Sequence, residues 1–188
     1  GQSKEHHATR DACGLFDICH MGEFIIKGKD AFPFLQGLLT NKVRKLKPGR
    51  AMYNFMLNDE GGVVDDCILY RLDEDEFMLV VNAGNIQADF SWVSEHSPSS
   101  VTVDDISDET AKIDIQGPAA PGVIAGLAGR ETIEKMRFFR FKKNISIAGV
   151  DVLLSRTGYT GEIGFELYLD ASQAATLWNT LLEAGKDS

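Results

Sequence analysis

Apolar residues fall in short clusters separated by Gly, Asp and Asn, and only a few stretches keep the three-to-four spacing of an amphipathic helix. Leu15-Phe16-Asp17-Ile18 and Glu23-Phe24-Ile25-Ile26-Lys27 predict two short strands on either side of His20-Met21-Gly22. Asp30 is the expected N-cap of a helix over 31–39, where Pro33 is tolerated because it lies in the first turn. Runs 53–57 and 63–70 flank Asn58-Asp59-Glu60-Gly61-Gly62 and predict a hairpin with a longer loop. A strand over 77–81 follows the acidic turn Asp73-Glu74-Asp75-Glu76, and a helix over 85–94 presents Phe90, Trp92 and Val93 as its apolar contacts.

The pattern restarts at Val101. A strand there is followed by a strand over 111–115, a helix over 119–127, a hairpin over 145–154 turning at Ala148-Gly149, a strand over 165–169 and a helix over 171–182. Strands and helices do not alternate regularly, which predicts an α+β fold and argues against a doubly wound parallel sheet. A weak boundary over 95–100 suggests two mixed sheet-and-helix subdomains, 1–100 and 101–188. No internal repeat or low-complexity segment interrupts the pattern.

Composition narrows the function more than the fold. The 188 residues are 44% hydrophobic and 25% charged, ample material for a core. A net charge of −9, from 28 acidic and 19 basic side chains, opposes the basic surface that a nucleic-acid binder uses to neutralise phosphates. The 3 cysteines, Cys13, Cys19 and Cys67, are odd in number and have no zinc-ligand spacing, so reduced thiols and a cytoplasmic setting are expected, with Cys67 in the core. No apolar run is long enough to span a bilayer, and the first residues lack a signal peptide's apolar centre. No membrane association is expected. The chain opens in mid-pattern and stops just after a helical stretch, as a piece of a longer protein would.

Several chemistries fail on spacing. Gly158, Gly161 and Gly164 precede a strand, whereas a dinucleotide fingerprint needs G-x-G-x-x-G between a strand and a helix. There is no phosphate-cradling G-x-x-x-x-G-K-[ST] and no G-x-S-x-G nucleophile elbow. His6, His7, His20 and His96 do not form a helical zinc pair, so no metal site is expected.

Two motifs remain. Gly61-Gly62-Val63-Val64-Asp65-Asp66 places adjacent acids at the start of an apolar strand, and Arg156-Thr157-Gly158-Tyr159-Thr160-Gly161-Glu162-Ile163-Gly164-Phe165-Glu166 is a glycine-punctuated turn ending in another acid. Burying a carboxylate is expensive unless N–H donors or a ligand meet it. Adjacent side chains on a strand face opposite sides, so only one of Asp65 and Asp66 enters any one pocket. Taken alone, either acid of the pair is a candidate hairpin cap, Glu166 a solvent-facing edge-strand residue, Tyr53 and Tyr70 half-buried sheet tyrosines, and Asn82 a turn residue.

Together with Leu15 to Phe24, Ala51-Met52-Tyr53-Asn54, Leu79-Val80-Val81-Asn82-Ala83 and Ile115-Gln116-Gly117-Pro118-Ala119, these motifs closely resemble the glycine cleavage system T protein family, tetrahydrofolate-dependent aminomethyltransferases. The resemblance covers nearly the whole chain. It implies a folate-binding, aminomethyltransferase-like α+β fold with two interleaved mixed sheet-and-helix subdomains. The family continues into a G-L-x-A-R-D segment and a barrel-like C-terminal domain, both expected to be absent here. Scaffold relatives include folate domains of sarcosine and dimethylglycine dehydrogenases, a sulfoniopropionate demethylase and iron-sulfur assembly factors. The last carry K-G-C-Y-x-G-Q-E where this chain has Arg156 to Glu162.

By this resemblance Asp66 is the catalytic aspartate, Glu166 the pterin-binding acid, and Met21, Tyr53, Tyr70, Asn82 and Tyr159 line the folate cavity. The implied reaction moves a methylene carbon from an aminomethylated lipoyl carrier protein to tetrahydrofolate, with release of ammonia. Asp65 is left as the loop-capping acid. The alternatives are a non-catalytic folate-binding module and a folate-dependent demethylase or oxidase relative. The basic run Asn41 to Arg50 reads as a solvated loop or as a steering patch for an acidic carrier or for folate's polyglutamate tail.

Overall fold

The computed structural model describes residues 1–186. In chain order the main elements are α1 (Gln2–Asp11), β1 (Gly14–Asp17), β2 (Gly22–Lys27), α2 (Ala31–Leu38), β3 (Arg50–Leu57), β4 (Val63–Asp73), β5 (Glu76–Val81) and α3 (Ile86–His96). They continue with β6 (Thr102–Asp105), β7 (Thr110–Gln116), α4 (Ala120–Ala128), α5 (Arg130–Ile133), β8 (Phe141–Ile147), β9 (Val150–Ser155), β10 (Gly164–Asp170) and α6 (Ala174–Ala184). The class is α+β, with two five-stranded antiparallel sheets.

The chain does not divide with a single cut near residue 100. It forms an inserted unit, His20–Asp108, and a terminal unit made from Gly1–Cys19 and the chain from Glu109 onward. The cause is one long-range pairing. β1 lies antiparallel to β7, with Leu15 opposite Ile115 and Asp17 opposite Ile113, so the first strand belongs to the sheet built by the second half of the chain. Local composition carries no trace of a pairing between residues so far apart.

In the inserted unit the strand order is β3-β4-β5-β2-β6. Phe24 and Ile26, Cys67 and Leu69, and Phe77, Leu79 and Val81 occupy alternate positions of their strands and share a buried core with Ala31 and Leu35 of α2 and Val93 of α3. Each large apolar side chain so buried contributes about 1.5–3 kcal/mol. The same alternation sends Tyr53, Phe55 and Asp66 to the other face, where Phe55 lies directly opposite Asp66. Asp30 precedes α2, yet its side chain does not cap the helix. Its Oδ2 instead accepts the Ser100 hydroxyl at 2.5 Å, a tertiary bond that replaces the expected local one.

In the terminal unit the order is β1-β7-β10-β9-β8, which makes β7 and β10 central. Ile113 and Ile115 pair with Leu167 and Phe165 on one face, and α4 and α6 pack on these strands. Lys112, Asp114, Glu166 and Tyr168 share the opposite face. Sequence reading misses α1, whose residues form no apolar stripe. Its Arg10 nevertheless donates to the Thr160 carbonyl at 2.5 Å and pairs with Glu162 at 2.9 Å, tying the helix to the glycine turn.

Gly117 shows how tightly the end of β7 is drawn against the N-terminal segment. Its φ is +129°, and an added Cβ would lie 2.6 Å from the Ala12 carbonyl oxygen and 2.7 Å from that of Thr9. Neither backbone oxygen is able to swing away, so Gly117→Ala is expected to cost about 2–4 kcal/mol of stability. Gly122→Ala, on an exposed helical position with nothing near its Cβ, is expected to stabilise by about 0.4–1 kcal/mol. Urea midpoints of the two variants test this; equal midpoints would contradict the strained-turn argument.

Candidate functional site

Asp66 lies on β4 with its side chain half-buried. Its Oδ2 accepts the Tyr53 hydroxyl at 3.0 Å and its Oδ1 accepts Nδ2 of Asn82 at 2.9 Å, so neutral donors hold both oxygens. Tyr53 and Phe55 meet edge to face with ring centroids 5.3 Å apart. They remain 42% and 39% exposed, which leaves an open aromatic surface beside the carboxylate. A planar, partly polar ligand is suited to such a surface, because its rings stack while its N–H groups reach the acid.

Asp65 faces the other way and is buried. Its Oδ1 accepts Asn82 Nδ2 at 2.9 Å and its Oδ2 accepts the Asn82 backbone N–H at 3.2 Å. It is not the loop cap expected from sequence. Asn58 takes that role, its Oδ1 accepting the N–H groups of Glu60 at 3.1 Å and Gly62 at 2.7 Å. The cause is again strand alternation, which turns Asp65 toward α3 and away from its own hairpin.

Burial tends to raise the Asp65 pKa, but hydrogen bonds from Asn82, Asp89 and Asn85 outweigh it and hold the carboxyl below its ordinary value. Asp89 on α3 shows the reverse: burial, then the hydrogen bond to Asp65 and that residue's charge, push it up to about 8. Cys67, next along the same face, has its thiol pushed far up by burial and by the charges of Asp65, Asp89 and Asp66. It is a core residue and a poor nucleophile.

Among the other predicted contacts of this unit, Tyr70 shares the strand face of Asp66 but is 0% exposed, and Met21 is half-buried in the turn before β2. Asn82 ends β5 as a turn residue should, and in addition bridges the two aspartates. Tyr53, Asp66 and Asn82 are thus joined by direct hydrogen bonds.

Glu166 lies in the terminal unit. It is on a central strand and 4% exposed, unlike the solvent-facing edge glutamate that the residues alone suggest. Its Oε1 pairs with Lys112 Nζ at 3.1 Å, and its Oε2 accepts the hydroxyls of Thr157 at 2.5 Å and Tyr168 at 3.1 Å. Lys112 also lies 5.4 Å from the centroid of the Tyr168 ring. Asp114 is opposite Glu166 in the β7–β10 register. Burial, then the Glu166 charge, raise the Asp114 pKa against the opposing pull of Lys112 and Gln116, so its carboxyl tends to keep its proton.

Gln116 connects this cluster to the glycine turn. Its Nε2 donates to the Thr157 carbonyl at 3.2 Å and its Oε1 accepts the Thr160 hydroxyl at 3.2 Å. Gly164 packs against it so closely that a Cβ would fall 2.7 Å from the Ile115 carbonyl oxygen. Tyr159, at the tip of the turn, is fully exposed and borders a cleft of about 320 Å³ with Thr9, Arg10 and Phe16. Sequence reading missed the parts played by Lys112, Asp114 and Thr157. The available signal was the strict alternation of Lys112, Asp114 and Gln116 with Ile113 and Ile115, which marks a strand with one polar, buried face.

No group of His, Cys, Asp and Glu suited to a metal ion occurs among the described residues, and none of their helices is long and apolar enough to cross a membrane.

Known proteins resemble the chain in sequence and in fold. The chain is 50% identical over 184 residues to an aminomethyltransferase of Caldanaerobacter subterraneus, covering 97% of this chain and 49% of that protein. It is also 50% identical over 186 residues to the Shouchella clausii aminomethyltransferase, covering 99% and 50%. It thus spans about half the length of the curated relatives it matches. Among solved structures it resembles the glycine cleavage system aminomethyltransferase T of Bartonella henselae, with a TM-score of 0.85, 38% identity, and coverage of 95% of this chain and 48% of that one. The heterotetrameric sarcosine oxidase of Corynebacterium sp. U-96 shares the fold at 17% identity and a TM-score of 0.71, with coverage of 98% and 91%. The GCVT N-terminal domain model matches residues 1–188, and the chain belongs to that family.

Proposed function

We propose that this chain provides the catalytic aspartate and the pterin-binding acid of a tetrahydrofolate-dependent aminomethyltransferase, acting on an aminomethylated lipoyl carrier. The observation that carries the reading is Asp66 itself, held at both oxygens by Tyr53 and Asn82 beside an open aromatic surface. The aminomethyltransferase relatives at 50% identity support the reaction class.

Tetrahydrofolate would supply the nitrogens that take up the methylene carbon, as that carbon's bonds to the lipoyl sulfur and to the departing ammonia break. Asp66 then acts by orientation and proton handling. Its fixed oxygens accept a hydrogen bond from the reacting nitrogen and take up the proton released there. Tyr53 and Asn82 keep the carboxylate from rotating, while Tyr53 and Phe55 offer their rings to the ligand's apolar faces. Met21, Tyr70 and Tyr159 remain proposed cavity contacts. Glu166 is the proposed acceptor for the pterin's N–H edge, and Lys112, 3.1 Å from its Oε1, fixes where that carboxylate sits.

The basic run has a matching geometry. Val43 and Leu46 are buried and anchor the loop, while Lys42, Arg44, Lys45 and Lys47 stay exposed. An anchored set of cations is suited to steering an acidic carrier protein.

Asp66→Asn in the full-length protein is expected to lower kcat about 10²- to 10⁴-fold with little change in thermal stability. Asp65→Asn should instead show its main effect in stability, about 1–3 kcal/mol, because it disturbs buried hydrogen bonds. Paired kcat and melting measurements separate the two, and an active Asp66→Asn enzyme would remove the assignment.

Glu166→Gln is expected to weaken tetrahydrofolate binding by about one to two decades, and by more than Glu162→Gln does. Calorimetric titration decides; curves matching wild type would place the pterin elsewhere. Reversing Lys42, Arg44 and Lys45 to glutamate should slow carrier association at low ionic strength and have little effect at high salt. Stopped-flow rates insensitive to both charge and salt would return the run to an ordinary solvated loop.

A further inference from the structure

Asp89 is 0% exposed, and no N–H or neutral hydroxyl donor among the described residues reaches either carboxyl oxygen. The group that bears on it is another acid, Asp65, which with burial raises the Asp89 pKa. Two buried carboxylates in contact do not both stay ionised, so the pair holds one proton. The donors decide where. Asp65 already accepts from the backbone and side chain of Asn82, as an anion does best, whereas Asp89 has no such donors. Burial and the lack of donors thus favour the proton on Asp89.

The pair connects to the reacting group through one side chain. Nδ2 of Asn82 lies 2.9 Å from Asp65 Oδ1 and 2.9 Å from Asp66 Oδ1, and 3.1 Å from the Asp66 carbonyl oxygen. We propose that Asp89 is a positioning residue, a buried carboxylic acid whose proton fixes Asp65 so that Asp65 in turn orients Asn82 against Asp66. This rests on the reading of Asp66 as the reacting carboxylate.

The ionisable groups that bear on Asp89 are Asp65, which raises it, and the neighbouring thiol of Cys67, which stays protonated. Asp89 is neutral below a pH of about 8 and ionises above it. Ionisation would set two anions against each other, shift Asp65 and release Asn82. The folded chain holds a proton that the unfolded chain, with a carboxyl near about 3.9, has already lost. This group's contribution to stability is therefore fully present below a pH of about 4 and declines as pH rises toward about 8.

Asp89→Asn retains an N–H donor toward Asp65 and cannot ionise, whereas Asp89→Ala removes the donor. In the full-length protein Asp89→Ala is expected to lower kcat about tenfold or more with KM changed less than about threefold, and Asp89→Asn to restore most of that loss at pH 7. The fall in kcat that wild type shows as pH rises through about 8 should be missing from Asp89→Asn. Melting temperatures of this chain, measured from pH 5 to pH 9, should show Asp89→Asn gaining on wild type as pH rises. A melting-temperature gap that does not change with pH, or Asp89→Asn matching Asp89→Ala in kcat, would overturn the proposal. An active Asp66→Asn enzyme would overturn the catalytic reading instead, and the melting series would still report whether the acid pair exists.

Discussion

The pleat of β4 at Asp65 and Asp66 is the constraint from which the chemistry of the inserted unit follows. Two adjacent acids on a strand must face opposite sides. One is thereby driven into a region packed by α2 and α3, and the other is delivered to a face that keeps tyrosine and phenylalanine exposed. Placing an acid inward has a desolvation cost, and the structure offsets it with Asn82 and with a second, protonated acid. The outward acid benefits because the same asparagine holds it.

The terminal unit meets a related difficulty differently. Lys112, Asp114, Gln116, Glu166 and Thr157 are all buried, a concentration of polar groups that a hydrophobic core of equal volume would avoid. Breaking a buried ion pair is costly, whereas replacing it by packed apolar side chains is often neutral or favourable, so stability alone is a poor reason to keep one. A lysine paired with a glutamate, with two hydroxyls completing its environment, fixes that carboxylate in one position. The neutral Asp114 beside it limits the net charge that must be stabilised there.

Glycine has two different uses in these sites. Gly117 allows a positive φ where the chain runs against backbone oxygens of the N-terminal segment. Gly164 allows the following strand to lie directly against Gln116, and so lets one amide tie the turn to β7. In both cases the missing Cβ permits a close approach, and the polar contacts depend on that approach.

Much of the local structure is legible in the chain. The hairpin around Asn58 to Gly62, the strand bearing Phe165 to Leu169 and the helices after Asp30 and Asn85 follow from period and turn chemistry, because strand alternation and loop residues act over a few positions. The opposed directions of Asp65 and Asp66 follow for the same reason, as did the choice of an α+β class. The membership of β1 in the sheet of the second half, the Ser100 hydroxyl on Asp30, the burial of Glu166 and the meeting of Asp89 with Asp65 were decided by tertiary structure. Each joins residues separated along the chain by far more than one turn or one hairpin, where local pattern carries no information. A side chain's partners, and therefore its protonation and its chemistry, depend on which distant segment folds against it.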